Sequence, residues 1–439
     1  MVIADSFYET EGVLSSHYYT PIIDLKKVAS TPMACNSRVD QSVVKLEETA
    51  ATLRQALSHN NRDYFPCRIR PSTDSETHGY RCRCSFQIVT PPDGGDVRYA
   101  VRENGKAIVI DDFDVANWRI RRAMRELLTS LRQDDVASRV LKSNLTSASF
   151  VTSWNPSRTC LVTLHYNESI REIADEWKLV AHRVAKHHGW QELTGRSKGI
   201  VLRALTTTGE DDLIIEDSIH LQLVDGEWRV TLEEDALSKL FPVRNVEYVL
   251  SSSAFAHPNP NVMCQALSWM LNRVESIHMA CANQVEKPTL LELYCGCGAH
   301  TMALLGSGLL ARIVAVEIDE RLVQACHRNA RLNQCEEFLD IVSQDAGLWS
   351  ANGRSTATDA ASILLVDPPK QGLDERVRRM AMECKNLQHI LYISCGRDAL
   401  VRDLQSLNSV FEVVDCVLLD LFPQTYSVES LVHLRRRRP

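Results

Sequence analysis

The chain has few aromatic residues, 6% of its 439 positions, and no apolar run long enough to span a membrane. It has no excess of positive charge. The net charge is −7, so any nucleic-acid contact must come from a local basic surface rather than from the total. Paired CxxC clusters are missing. The 14 cysteines are scattered through apolar strand and helix patterns, as in VVDCVLL, which predicts reduced thiols and no disulfide framework. Cys82 and Cys84 form a C-x-C with Cys67 upstream but no CxxC pair beside it, so neither a metal nor an iron–sulfur cluster is expected. The opening MVIADSFYETEG has neither a basic start nor an apolar stretch, and its acids argue against a transit peptide. A cytoplasmic setting is the default, with a nuclear or organellar pool left open. There is no internal repeat, and Arg435–Arg438 is the one biased tract.

Hydrophobic residues at 44% and charged residues at 24% give the balance of a soluble globular protein, and the length asks for two or three domains. Residues 1–40 lack strong periodicity and read as a variable extension. Residues 41–250 read as a mixed α+β region. QSVVKLEETAATLRQALS has the spacing of an amphipathic helix. GYRCRCSFQIV and VRYAVRENGKAIVID alternate around the turn-rich PPDGGD, a hairpin signature. A helix WRIRRAMRELLTSLR, two strands around an Asn-Pro turn, a helix ending at Gly189 and further strands follow. Residues 251–439 change texture. TLLELY, RIVAVEID, SILLVDPP and HILYISCG are continuous apolar runs alternating with helical stretches. They predict a doubly wound α/β domain of the Rossmann-like type with a parallel sheet. FEVVDCVLLDLF and SLVHLRR have no helix between them, so an antiparallel hairpin closes the sheet.

The chemistry-bearing residues lie at the ends of those strands. Glu292 to Gly298 joins the first strand to the first helix, and Gly296 and Gly298 let the backbone turn sharply near a ligand. The third glycine of a dinucleotide fingerprint is absent. Glu317, ending the second strand, can accept hydrogen bonds from ribose hydroxyls. Together these fit S-adenosylmethionine better than a nicotinamide. Asp367 ends the fourth strand ahead of two stiffening prolines. Cys395 ends the fifth, at the start of a helix, whose positive end is expected to favour the thiolate. Glu429 belongs to the last hairpin and reaches the same edge if its loop folds over. A thiolate, a carboxylate that holds a base and a carboxylate that removes a proton suit methylation of uracil C5. Addition of the thiolate to C6 makes C5 nucleophilic, and a base then removes the C5 proton so that the thiolate can leave.

These motifs, in this order, resemble the RNA (uracil-5-)-methyltransferases, which form 5-methyluridine. ELYCGCG looks like their cofactor loop, VDPPKQGLD like DPPRxGLD, YISCGRDAL like SCNPxTL, and DLFPQTYSVE like QFPxTxHVE. YRCRCSFQIV, LVTLHYNESIREIADEW and LTGRSKGIVL resemble the N-terminal half of the bacterial tRNA-specific branch. The resemblance implies class I methyltransferase architecture after an RNA-binding region, S-adenosylmethionine as cofactor, and tRNA as partner, at the T-loop uridine. It implies no membrane and no obligate protein partner. It makes Cys395 the nucleophile and Glu429 the proton acceptor, and it puts His257, Tyr294, Glu317 and Asp367 on cofactor-contacting positions. Four positions depart from the pattern: His257 replaces a glutamine, Ala299 an asparagine, Lys370 an arginine and Gly396 an asparagine. Arg81, Arg83, Arg196 and Lys198 are the candidates for RNA phosphates, with Tyr80 and Phe86 for base stacking. The alternatives are 5-methyluridine formation in another RNA such as rRNA, and a catalytically impaired tRNA-binding chaperone.

Overall fold

A computed structural model describes residues 37–57, 66–90, 96–103, 106–154, 160–206, 215–250, 257–280, 286–352 and 359–438. Most of the expected 1–40 extension, the PPDGGD turn and the Asn-Pro turn lie outside these residues.

The elements follow in chain order. They are α1 (Arg38–Leu57), β1 (Cys67–Arg70), β2 (Arg83–Val89), β3 (Arg98–Glu103), β4 (Lys106–Ile110), α2 (Trp118–Arg132) and α3 (Val136–Lys142). Then come β5 (Leu145–Thr152), β6 (Cys160–Tyr166), α4 (Ala174–His188), β7 (Glu192–Ser197), β8 (Ile200–Leu205), β9 (Ile215–Val224), β10 (Glu227–Thr231) and β11 (Val243–Leu250). The C-terminal half adds α5 (Pro260–Ala280), β12 (Thr289–Leu293), α6 (Ala299–Ser307), β13 (Arg312–Glu317), α7 (Glu320–Leu332), β14 (Leu339–Ser343) and α8 (Ala346–Asn352). It ends with β15 (Ile363–Val366), α9 (Glu375–Glu383), β16 (His389–Ser394), α10 (Arg397–Leu407), β17 (Phe411–Leu419) and β18 (Glu429–Arg436).

The apolar runs form an eight-stranded sheet in the order β1-β17-β18-β16-β15-β12-β13-β14. Strands β12, β13, β15 and β16 pair in parallel and are buried along nearly their whole length, as strands covered on both faces must be. Strand β18 runs antiparallel between β16 and β17, which is the expected closing hairpin. One face of the sheet packs against α5, α6 and α7. The other packs against α1, α9 and α10.

The N-terminal half is built differently. Strands β4-β3-β2-β5-β6-β7-β8 form a seven-stranded, mostly antiparallel sheet. One face carries Phe86, Phe150, Val162, Leu164 and Leu193 against α2, α3 and α4. Helix α2 starts at Asn117, whose side chain accepts from the Arg119 N–H at 3.0 Å, and α4 stops at Gly189 in the left-handed region, φ 70°.

Packing does not divide the chain at residue 251, where composition places a boundary. Strand β1 adds in parallel to β17 at the edge of the eight-stranded sheet, with Cys67 opposite Cys416. Leu46, Ala50 and Leu53 of α1 lie in the same core as β12 and β16. Each of the two leucines is fully buried and contributes about 2 kcal/mol by burial. The small sheet β10-β9-β11 is likewise built onto the C-terminal half. Asn333 bonds both the N–H and the C=O of Glu247, and Asn329 accepts from the Val249 N–H at 2.7 Å. Edge pairings between residues far apart in sequence leave no local signature, so composition alone misses them.

Candidate active site

The candidate residues gather along the C-terminal edge of the parallel sheet, where strand ends meet helix starts. Tyr294 leaves β12 with φ 63°, a left-handed conformation unusual for a side chain of its size. Gly296 and Gly298 follow at φ 58° and 81°. A Cβ on Gly296 would meet nothing within 4 Å, so the loop borders open space at the site where a ligand would lie. Gly298 instead is required by packing, because a Cβ there would strike the Cys326 thiol. Glu317 ends β13 and ties the loop down. Its carboxylate accepts from the N–H groups of Gly296 (3.0 Å), Ile318 (2.8 Å) and Asp319 (2.9 Å). Burial raises its pKa despite those donors. An acidic acceptor beside a glycine turn open to a ligand fits the ribose of S-adenosylmethionine.

Asp367, Cys395 and Glu429 converge at the neighbouring strand ends. Glu429 is the first residue of β18 and is buried. Burial and the nearby Asp367 charge push its pKa well above the usual carboxylate range. Asp367 is pushed up to about 6 by burial, with His300 opposing and Glu292 reinforcing the shift. The thiol of Cys395 is pushed up to about 12, first by burial, then by the Glu429 and Asp367 charges, with Lys370 opposing. The helix start at Arg397 is therefore outweighed, and the expected shift toward thiolate is reversed in the free protein. Among the described cysteines only Cys67 and Cys395 are not buried. Cys395 thus stands at the rim and not in the core.

The departures from the family pattern have local physical accounts. His257 Nδ1 accepts from the Asn259 N–H at 3.2 Å, and burial with the neighbouring His300 lowers its pKa to about 4, so the ring is neutral. Ala299 opens α6, and its carbonyl accepts from the Tyr248 hydroxyl at 2.8 Å. Lys370 and Gly396 are neighbours. A Cβ at Gly396 would collide with the Lys370 carbonyl oxygen, so a glycine is what lets the Asp367 loop and the Cys395 loop lie this close.

His300 is a site residue that the sequence motifs do not single out. It sits on the first turn of α6, its Nδ1 3.6 Å from Glu292 Oε1. Burial lowers its pKa, but Glu292 and Asp367 outweigh that and the net shift is upward. Its position two residues past the second loop glycine is the signal that points to it.

The candidate RNA residues divide. Arg83 lies on the face of the seven-stranded sheet turned away from α2, α3 and α4, opposite Cys84 and Phe86. Arg196 occupies the same face, and its Nε is buried without a hydrogen-bond partner among the described residues. Between them His165 is held near pKa 4 by burial and by the charges of Arg196 and Arg83. Its Nε2 lies 2.8 Å from the Ser149 hydroxyl, which meets the Ser85 hydroxyl at 2.7 Å. Lys198 is exposed in the β7–β8 turn. Arg81 does not join them. It is 7% exposed, with its guanidinium over the Phe422 ring at 4.6 Å, because it precedes β2 and faces the catalytic half. Tyr80 and Phe86 are buried too, so neither can stack on a base. Tyr426, 66% exposed in the loop before Glu429, is the aromatic side chain that is available there.

A family model described as tRNA (uracil-5-)-methyltransferase matches residues 43–225 and 210–437. The chain belongs to the tRNA (uracil-5-)-methyltransferase family. Its class of activity is accordingly S-adenosylmethionine-dependent methyl transfer to uracil C5 in tRNA. It is 29% identical over 410 residues to the tRNA/tmRNA (uracil-C(5))-methyltransferase of Stutzerimonas stutzeri, covering 90% of this chain and 98% of that one. The Shewanella amazonensis enzyme of the same name is 27% identical over 408 residues, covering 90% and 96%. The fold is similar to the crystal structure of Pyrococcus abyssi tRNA (uracil-54, C5)-methyltransferase in complex with S-adenosyl-L-homocysteine. The TM-score is 0.57 at 17% identity, over 90% of this chain and 83% of that one. No helix among the described residues is long and apolar enough to cross a membrane.

Proposed function

We propose that the chain methylates C5 of the T-loop uridine of tRNA through a covalent bond between Cys395 Sγ and C6 of the base. The observation that carries this reading is the meeting of one rim thiol with two carboxylates of raised pKa at the edge that also bears the glycine turn. S-adenosylmethionine supplies an electrophilic methyl on sulfonium, with Tyr294, Gly296, Gly298, Glu317 and His257 as the residues that would hold it.

The uridine is extruded from the tRNA elbow to reach this edge. Cys395 gives up its proton to solvent, Sγ bonds to C6 as the C5–C6 double bond opens, and the negative charge passes to the C4 oxygen. Asp367 accepts a hydrogen bond from the base and fixes its orientation. The enolate electrons return through C5, which takes the methyl group as the methyl–sulfur bond breaks and the donor is left as a neutral thioether. Glu429 removes the C5 proton, the C5–C6 double bond reforms, and the thiolate leaves. A glutamate with a raised pKa is a stronger base than an exposed one, which suits removal of a proton from carbon. A thiol held protonated in the free protein is unreactive until the base arrives.

Arg83, Arg196 and Lys198 are proposed to meet the phosphates of the tRNA arm on the open sheet face, and Tyr426 to stack beside the extruded base. The test incubates the protein with an unmodified tRNA transcript and methyl-labelled donor, then locates the labelled nucleoside. Label in 5-methyluridine of the T loop is expected. Label in a methylated cytidine or adenosine overturns the chemistry, and 5-methyluridine elsewhere overturns the position.

A further inference from the structure

A lysine far from the strand ends is buried behind the loop that leads into Glu429. Lys45 lies on α1, 6% exposed, on the buried side of the helix together with Leu46, Ala50 and Leu53. Burying an ammonium in a core is costly unless every donor is used. Here all three are. Lys45 Nζ donates to the carbonyl oxygens of Phe422 (3.0 Å), Thr425 (2.9 Å) and Ser427 (3.0 Å). The buried Asp420 carboxylate supplies the counter-charge. All four partners belong to one loop, the link from β17 to β18, and the last of them is two residues before Glu429.

The rest of the loop is tied down from other sides. Asn259 Nδ2 donates to the Leu421 carbonyl at 2.9 Å, and the Tyr80 hydroxyl donates to that of Pro423 at 3.1 Å. Gln424 is held at φ 70°. A loop free to relax would not keep a bulky residue in that region. Thr425 and Ser427 are buried by the clamp while Tyr426 between them faces solvent.

We infer that Lys45 is a positioning residue for Glu429: its ammonium draws three carbonyls of the β17–β18 loop to one point, and so fixes where β18 begins and where the carboxylate stands. The inference rests on the reading of Glu429 as the proton acceptor. It makes α1 a working part of the active site although it lies more than 370 residues from Glu429 in sequence. A displacement of about 1 Å in a catalytic group costs about a hundredfold in rate.

Lys45→Met alone would strand the Asp420 charge in the interior and could fail to fold, so the paired variant Lys45→Met with Asp420→Asn is the informative one. It removes the three donors and the counter-charge together. Three quantities are measured with tRNA and donor: kcat and KM for tRNA, donor affinity by calorimetry, and protein–RNA adduct on a denaturing gel. The expected result is a kcat lower by at least about tenfold, unchanged KM and donor affinity, and adduct accumulating because proton removal is slowed. Wild-type kcat without adduct overturns the inference. So does a loss of activity that tracks loss of tRNA affinity or of folded protein and shows no adduct. Glu429→Gln, run alongside, separates the two levels. No adduct from Glu429→Gln defeats the assignment of the base. Adduct from Glu429→Gln but none from the paired variant defeats the clamp alone.

Discussion

The two large sheets of this molecule use their faces in opposite ways. The eight-stranded sheet is covered on both sides, so the only places where its strands can present chemistry are their ends. Asp367, Cys395 and Glu317 all stand at such ends, and the first residue of β18 brings Glu429 to the same edge. The seven-stranded sheet is covered along the whole of one side and only in part on the other, where Val151 and Leu161 join the C-terminal core and Arg83, Ser85, Ser149, His165 and Arg196 lie beside them. A fully buried sheet gives fixed geometry at a rim, which bond-making needs. A half-open sheet gives area and charge, which holding a polyanion needs.

Substitutions in the two sheets should therefore fail in different ways. Cys395→Ala should have the largest effect, lowering turnover by at least about a thousandfold while tRNA affinity stays within about twofold. Retained methylation would remove the covalent mechanism. Arg83→Ala with Arg196→Ala should do the reverse. Affinity for tRNA should fall by about tenfold, and the slope of log affinity against log salt should shrink by about one for each phosphate no longer neutralised. Methyl transfer at saturating tRNA should be little changed, and an unaltered salt slope would take the open face out of RNA binding.

A smaller effect tests the rigidity of the catalytic sheet itself. His389 Nδ1 lies 3.0 Å from His433 Nε2 at the end of the strands away from the site. Burial, Arg273 and Arg435 hold these rings near pKa 4 and 3. The folded state then binds fewer protons than the unfolded state below about pH 6.5, so stability is lost as pH falls from there toward 4, by at most about 1.4 kcal/mol per pH unit for one ring. Thermal melts of the wild type and His433→Leu between pH 7 and 4.5 should show a shallower acid loss in the variant. Equal slopes would mean that the pair is not the source.

Much of the catalytic sheet can be read from residues because its signals are local. DPP, SCG and the glycine turn each lie within a few positions of a strand end, so naming the strand places the side chain. What escapes is non-local or depends on parity. Strand β1 joins its sheet through β17, about 350 positions away, and nothing in CRIR announces that partner. Strand alternation would put Arg81 outside with Arg83, two residues on. Arg81 instead forms an isolated bridge to Ala116 before β2 begins, so the alternation does not govern it. Lys45 has polar residues four positions to either side, the pattern of a solvated face, and only the packing shows that it is buried. It shares the buried stripe with Gln41 and Thr49. A helix start by itself would acidify the thiol of Cys395. The two carboxylates beside it are the same groups that the proposed chemistry uses, and with burial their charge outweighs that effect in the free protein.

The most direct test of the account asks which sulfur meets the base. Glu429→Gln is incubated with tRNA and methyl donor, the trapped species is digested, and the peptide bearing the nucleotide is sequenced by mass spectrometry. A 5-methylated pyrimidine nucleotide on Cys395 is the expected product. A nucleotide on Cys67, the other described cysteine that is not buried, or no protein-bound nucleotide at all would contradict it.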